Sequence, residues 1–173
     1  MRRLIIPIIV CAGGLIGCTA QMRVGVTRGQ FLPCPETPNC VSSQAPVSDT
    51  VHYEAPLPYS IGSKAVIPLV ANLVKEGPRS DIITQTDRYI HATYKSAIFR
   101  FVDDVEFLVD PKTKFLHMRS LARMGTGDLG VNRRRIRDVK QRLSPQLQAS
   151  VRSTPEQASP PQSTPATQTT VEP

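Results

Sequence analysis

Between Asp81 and Ser120 the chain reads as four consecutive strand-like runs: Asp81–Gln85, Tyr89–Lys95, Phe99–Val109 and Phe115–Ser120. Alternation is clearest in the third, where Phe99, Phe101, Val105, Phe107 and Val109 share one face and Asp103 sits among them. That period of two marks a strand covered on one side. Asp110-Pro111-Lys112-Thr113-Lys114 has the composition of a hairpin turn joining the third run to the fourth. Strands linked this closely pair antiparallel, because a parallel pair needs a long crossover.

Helical patterns flank the strands. Ser60 is a candidate N-cap for a helix reaching about Lys75, with Ala65, Ile67, Leu69, Val70, Leu73 and Val74 as its apolar stripe. Pro68 disturbs its start, and Gly77-Pro78 ends it. After Gly130 a second helix runs to Leu143, with Ile136, Val139 and Leu143 facing inward and Asn132 one turn earlier on the same side. The fold expected is α+β: a small antiparallel sheet of about four strands packed with two helices. The core must rest on Val, Ile, Leu and a few Phe, since Trp is absent.

The chain outside this region is of another kind. Arg2 and Arg3 precede an apolar run from Leu4 to Ile16, which is too short for a bilayer span of about 20 residues. This is the charge order of a secretory signal. It ends in Leu15-Ile16-Gly17-Cys18, which resembles a lipobox, where a small residue precedes the cut and the Cys thiol carries diacylglycerol. Cys11, preceded by bulky Val10, fits that role poorly. Residues 1–17 are therefore expected to be a lipoprotein signal peptide. Cys18 is the expected lipidation site, and residues 18–30 are the expected tether. Two or three acyl chains such as palmitate hold a protein durably on a membrane. Thr19, where Asp commonly marks inner-membrane retention, favours the outer membrane facing the periplasm. From Ser144 to Pro173 the residues are Ser, Thr, Pro or Gln at 21 of 30 positions. Such a segment buries too little apolar surface to offset its ordering entropy and reads as a disordered tail.

Setting Cys11 and Cys18 aside leaves Cys34 and Cys40, for which an oxidising compartment predicts a disulfide. A zinc site is the weaker alternative with no His close by, and the Cys-x-x-Cys spacing of a redox pair is absent. No metal and no cofactor are expected.

The formal net charge of +7 is concentrated rather than general. Val131–Leu143 carries Arg133, Arg134, Arg135, Arg137, Lys140 and Arg142 against Asp138 alone. Gly125, Gly127 and Gly130 spell G-x-G-x-x-G, but hairpin-paired strands with no βαβ unit exclude dinucleotide binding. Two readings of the turn remain. In one, backbone N–H groups at a helix N-terminus, with Arg119, Arg123 and Arg133, hold an anion; Asp103 and Asn132 complete this candidate ligand site. In the other, Asp103, Asp104 and Glu106 pair with Arg119 or Arg123 as an internal ion network. For the basic helix face, solvent is the default and anionic headgroups come next. An exported, tethered chain is a poor nucleic-acid binder despite its charge.

Leu32-Pro33-Cys34-Pro35 with Pro38-Asn39-Cys40-Val41-Ser42-Ser43 resembles the opening signature of the DUF1499 family of uncharacterised proteins. Phe101–Phe107, Arg119-Ser120, Arg123-Met124-Gly125 and Asp128–Asn132 with Arg135-Ile136 resemble its later ones. The resemblance spans roughly residues 31–143. It implies a domain without established activity in exported or membrane-linked settings, and it supplies no catalytic residues.

The leading expectation is a non-enzymatic envelope lipoprotein that binds an anionic small molecule, a lipid headgroup or an envelope protein at the 119–135 turn. The alternative is a hydrolase-type enzyme using Asp103, Asp104 or Glu106 with His91 or His117. A third is a purely structural lipoprotein with the tail as spacer.

Overall fold

The alternating runs pair through their hairpins into the centre of one antiparallel sheet, and both helices cover the same side of it. The structure, a computed structural model, describes residues 24–148. The expected signal peptide, Cys18, the first part of the tether and the tail from residue 149 lie outside the described residues.

Strands β5 (Ser80–Gln85), β6 (Tyr89–Lys95), β7 (Val102–Asp110) and β8 (Phe115–Ala122) supply four of the six strands. Two short ones complete the sheet. β3 (Cys40–Ser42) and β4 (Leu57–Pro58) both pair with the outer edge of β8, β3 at Arg119–Leu121 and β4 at Phe115–Leu116. The sheet is therefore larger than the expected four strands. The outer edge of β8 would otherwise present unpaired backbone groups, and the segment that passes beside it fills them in two short pieces.

Helices α1 (Ser63–Glu76) and α2 (Val131–Leu147) lie on one face. The core between them and the sheet holds Ile90, Ala92, Val105, Phe107, Val109, Leu116 and Met118 from the strands. Val66, Val70 and Val74 come from α1, and Ile136, Val139, Leu143 and Leu147 from α2. The α1 stripe is rotated from its expected setting: Val66 and Ala71 are buried, whereas Ala65 is exposed. Pro68 lies within the helix on its exposed side.

Three expectations need correction. The third strand starts at Val102, not Phe99, because Lys95 pairs with Val102 and closes the hairpin there. Ser96 donates its amide to the Phe101 carbonyl and accepts the Phe101 amide on its hydroxyl, so residues 96–101 form a closed loop. The second helix does not end at Leu143. It runs on to Leu147, which is fully buried, so residues 144–147 belong to the domain rather than to a tail starting at 144. Ser60 serves that end instead of capping α1: its amide donates to the Leu147 carbonyl at 2.9 Å, while Gly62 precedes α1.

The expected tether is also ordered within its described part. β1 (Val26–Thr27) and β2 (Gln30–Phe31) form a hairpin about Arg28-Gly29, both with positive φ as a tight primed turn requires. Gln44 fixes it, accepting the Phe31 amide and donating to the Gly29 carbonyl. The Cys34–Cys40 disulfide is formed, with Cα atoms 5.7 Å apart, and delivers the chain directly into β3.

The buried end of α2 gives a direct test. Leu147→Ala removes a fully buried side chain and should cost about 3 kcal/mol. Thermal or urea unfolding would read this, whereas an unchanged midpoint would return residues 144–147 to the tail.

Candidate functional site

Because side chains alternate along a strand, the face of the sheet away from the helices is fixed by register. His91, Glu106 and Arg119 lie in one row across β6, β7 and β8, and Thr93, Asp104 and Leu121 in the next. Charged residues in mid-sheet must be paired, since an isolated buried charge is very costly. Here the pairing is dense.

Arg119 Nη1 donates to Glu106 Oε2 at 2.6 Å, with both side chains 1% exposed. Glu106 Oε1 also accepts the Tyr89 hydroxyl at 2.8 Å and the Gly25 amide at 2.7 Å. Arg119 Nη2 reaches the Pro33 carbonyl, tying this pair to the start of the disulfide loop. Burial, reinforced by the charge of Glu106, pushes the Tyr89 phenol far above its ordinary value, so it remains a proton donor to the carboxylate.

One row on, Arg123 grips Asp104 with two bonds of 2.8 Å, and His91 Nε2 lies 2.7 Å from Asp104 Oδ1. Burial works to raise the Asp104 pKa, but hydrogen bonds from His91 and Arg123 outweigh it and hold it below the usual carboxylate value. The same contact raises the Arg123 pKa. His117, on the same face, sits against the Ser43 hydroxyl at 3.2 Å; burial lowers its pKa.

Asp103 belongs to the opposite face. Its partner is Arg135 of α2, whose Nη2 lies 2.6 Å from Asp103 Oδ2 and whose guanidinium stacks over the Tyr94 ring. Burial raises the Asp103 pKa against the pull of Arg135. Asn132, wholly buried, uses both ends of its amide. Its Oδ1 accepts from the Ser120 hydroxyl and from Arg135, while Nδ2 donates to the Asn39 carbonyl and to Asp128. Asn39 in turn donates to the Gly125 carbonyl at 2.6 Å. The disulfide loop, the Gly-rich turn and the start of α2 are thus knotted through two asparagines.

The helix N-terminus is where an anion was expected. Asp128 already stands there, accepting the Gly130 amide at 2.8 Å and the Asn132 amide at 2.7 Å. The chain supplies its own carboxylate to the helix dipole. Gly130 makes this possible at φ +76, a left-handed conformation that suits glycine.

Arg133 lies on a third surface. It donates to the carbonyls of Thr50, Val51 and Tyr53 and pairs with Glu54. Arg137 and Lys140 converge on Glu54 too. Burial would raise the Glu54 pKa, but Lys140 and Arg137 bring it below its ordinary value. The basic helix face draws Arg133 and Lys140 onto one largely buried glutamate, while Arg137, also in contact with it, stays 63% exposed to solvent.

The five expected ligand residues therefore do not converge. Arg119 and Arg123 serve one sheet face, Asp103 and Asn132 the other, and Arg133 the 50–55 segment. Of the hydrolase set, Asp104, Glu106, His91 and His117 share a face and Asp103 does not. Sequence reasoning did not single out Glu54, Tyr89, Asp128 or Arg135 as site residues. Asp128 and Arg135 carried one signal: they bracket Asn132 at one-turn spacing.

Arg119→Ala should cost about 3–5 kcal/mol, because it leaves the buried Glu106 charge without its cation. Arg123→Ala, at a pair left open to water on one side, should cost about 1 kcal/mol. The Asp104 contribution is present above pH about 4 and is lost as pH falls through its lowered pKa. Arg123→Ala should therefore move the acid-unfolding midpoint upward. Equal costs for the two variants in denaturant titrations would contradict this division.

The family described as protein of unknown function DUF1499 matches residues 30–143. No curated protein and no solved structure matches the chain. The matched segment spans the disulfide loop, the whole sheet and most of α2, and on that extent the chain belongs to the DUF1499 family.

Proposed function

We propose that this is an envelope lipoprotein, anchored through Cys18, whose DUF1499 domain is a non-catalytic binding module. The observation that carries the reading is the Cys34–Cys40 disulfide, which joins the two cysteines left over when Cys11 is removed and Cys18 is acylated. Such a bridge suits an oxidising compartment. The internal ion pairs support a non-enzymatic role. Arg119, Arg133 and Arg135 all meet carboxylates of the domain, so the charge that suggested chemistry holds segments together instead. An anionic ligand, a lipid headgroup or an envelope protein would meet the exposed part of the 119–135 turn, from Arg123 to Leu129.

Mass spectrometry of the mature N-terminus tests the anchor. An acylated Cys18 is expected, and Cys18→Ser should leave an uncut precursor. A mature chain with an unmodified N-terminus elsewhere would defeat the reading.

One observation favours a second reading. The His91–Asp104 contact is a carboxylate–imidazole pair of the kind used in general acid–base catalysis. Against it, both side chains are at most 4% exposed, and Arg123 covers Asp104. A hydrolase role requires that the protein cleave an ester or phosphate ester and that His91→Gln abolish the activity with little change in melting temperature. No turnover, or turnover that survives His91→Gln, removes it.

A further inference from the structure

Several of the most exposed apolar side chains gather at one end of the sheet, while Val47, Val51 and Ile83 stand singly elsewhere. Ile98, Phe99 and Phe101 are 82%, 73% and 52% exposed, and Met124 and Leu129 are 70% and 94% exposed. The first three stand on the β6–β7 loop and the other two on the turn after β8. These loops leave the same end of adjoining strands, and the Arg123 amide donates to the Val102 carbonyl between them. The rings of Phe99 and Phe101 stack on each other 5.6 Å apart, in the open. Arg100 between them takes positive φ, which turns the loop outward as a short knob.

Cations surround this tip. Arg79, Arg100 and Arg134 make no ion pair among the described residues, whereas Asp81 pairs with Lys95, Asp103 with Arg135 and Asp104 with Arg123. An apolar aromatic knob ringed by arginines without carboxylate partners matches an anionic bilayer, which accepts rings at headgroup level and attracts the charges.

We propose that this end of the sheet, residues 96–101 with 123–130, docks into the surface of an anionic lipid bilayer. The proposal deepens the lipoprotein reading and rests on it, since the anchor would hold the tip at the membrane it contacts. The lengths agree. Gly25 joins the sheet at Glu106, four residues along β7 from Val102, or about 13 Å. Cys18 is seven residues before Gly25, a contour of at most about 24 Å. From Gly25 onward β1 runs away from the tip, since Val26 and Arg28 line a cleft with Leu108, Asp110 and Lys112.

The chain has no Trp, so Phe99→Trp in the full-length protein gives a single reporter. The protein is titrated with phosphatidylglycerol–phosphatidylcholine vesicles. The expected result is blue-shifted emission quenched by brominated acyl chains, with neither effect for Ile83→Trp on the edge strand. Adding Arg100→Glu should weaken docking about tenfold on these vesicles. An indole at position 99 that stays water-exposed on vesicle-bound protein overturns the proposal. So does a blue shift that grows with protein concentration without vesicles, which would assign the tip to a second copy of the chain. The acyl mass at Cys18 is read separately. Quenching of the Phe99→Trp reporter on protein lacking that mass would remove the anchor and keep the docking tip.

Discussion

The Glu106–Arg119 pair sits at the centre of the sheet face that no helix covers, and three otherwise separate pieces of chain close on it. The carboxylate takes the Gly25 amide of the N-terminal hairpin and the Tyr89 hydroxyl of β6, while the guanidinium takes the Pro33 carbonyl at the head of the disulfide loop. A buried ion pair is poor evidence of net stability, because desolvation offsets much of the attraction. Its value here is positional. An apolar pair of equal volume would leave the Gly25 amide, the Tyr89 hydroxyl and the Pro33 carbonyl without these partners, and the register of the hairpin over the sheet would be weakly specified.

The parity of the strands sorts the charges, and parity was partly legible. The alternation from Val105 to Val109 places Asp103 on the core side and Asp104 with Glu106 on the other. The turn at 110–114 sets Glu106 opposite Arg119. Grouping Asp103 with Arg119 and Arg123 overlooked that parity. The α2 stripe was legible because a period near 3.6 persists over three turns. β1, β2, β3 and β4 were not, since segments of two or three residues carry no period. Phe99 and Phe101 extended the alternation falsely: their spacing continues the strand pattern, but Lys95 pairs with Val102 and leaves them no partner strand.

The Gly-rich turn shows why composition alone overstates a binding site. Glycines, arginines and a helix start are what an anion needs, and they are equally what a chain needs to place its own anion. Asp128 fills the position that a phosphate would take, one turn before Asn132, and holds both the backbone and the side-chain amide of that residue. Likewise Glu54 gathers Arg133, Arg137 and Lys140, so one carboxylate ties three of the cations in 131–143 to the 50–55 segment. Glu54 lies about 80 residues from the arginines it serves, a separation that no short motif captures.

Once those charges are matched internally, the two ends of the sheet differ in kind. At the Asp110 end the turn is closed on itself: Asp110 accepts the Lys112 amide and the Thr113 hydroxyl, and Lys114 lies over the Tyr59 ring. At the Val102 end the loops project stacked aromatic rings, with Arg100 between them in no ion pair among the described residues. A fold that matches Arg119, Arg123, Arg133 and Arg135 internally, yet leaves apolar and cationic side chains together at one end, would suit that end to a surface that is both apolar and anionic. With Cys18 seven residues before Gly25, at most about 24 Å of chain, a lipid at Cys18 would have the length to reach that end. An anchor and a docking tip acting together would fix the orientation of the domain on the membrane, which a lipid anchor alone does not. The opposite end and the outer sides of the helices would then face the aqueous compartment, where a protein partner would meet them.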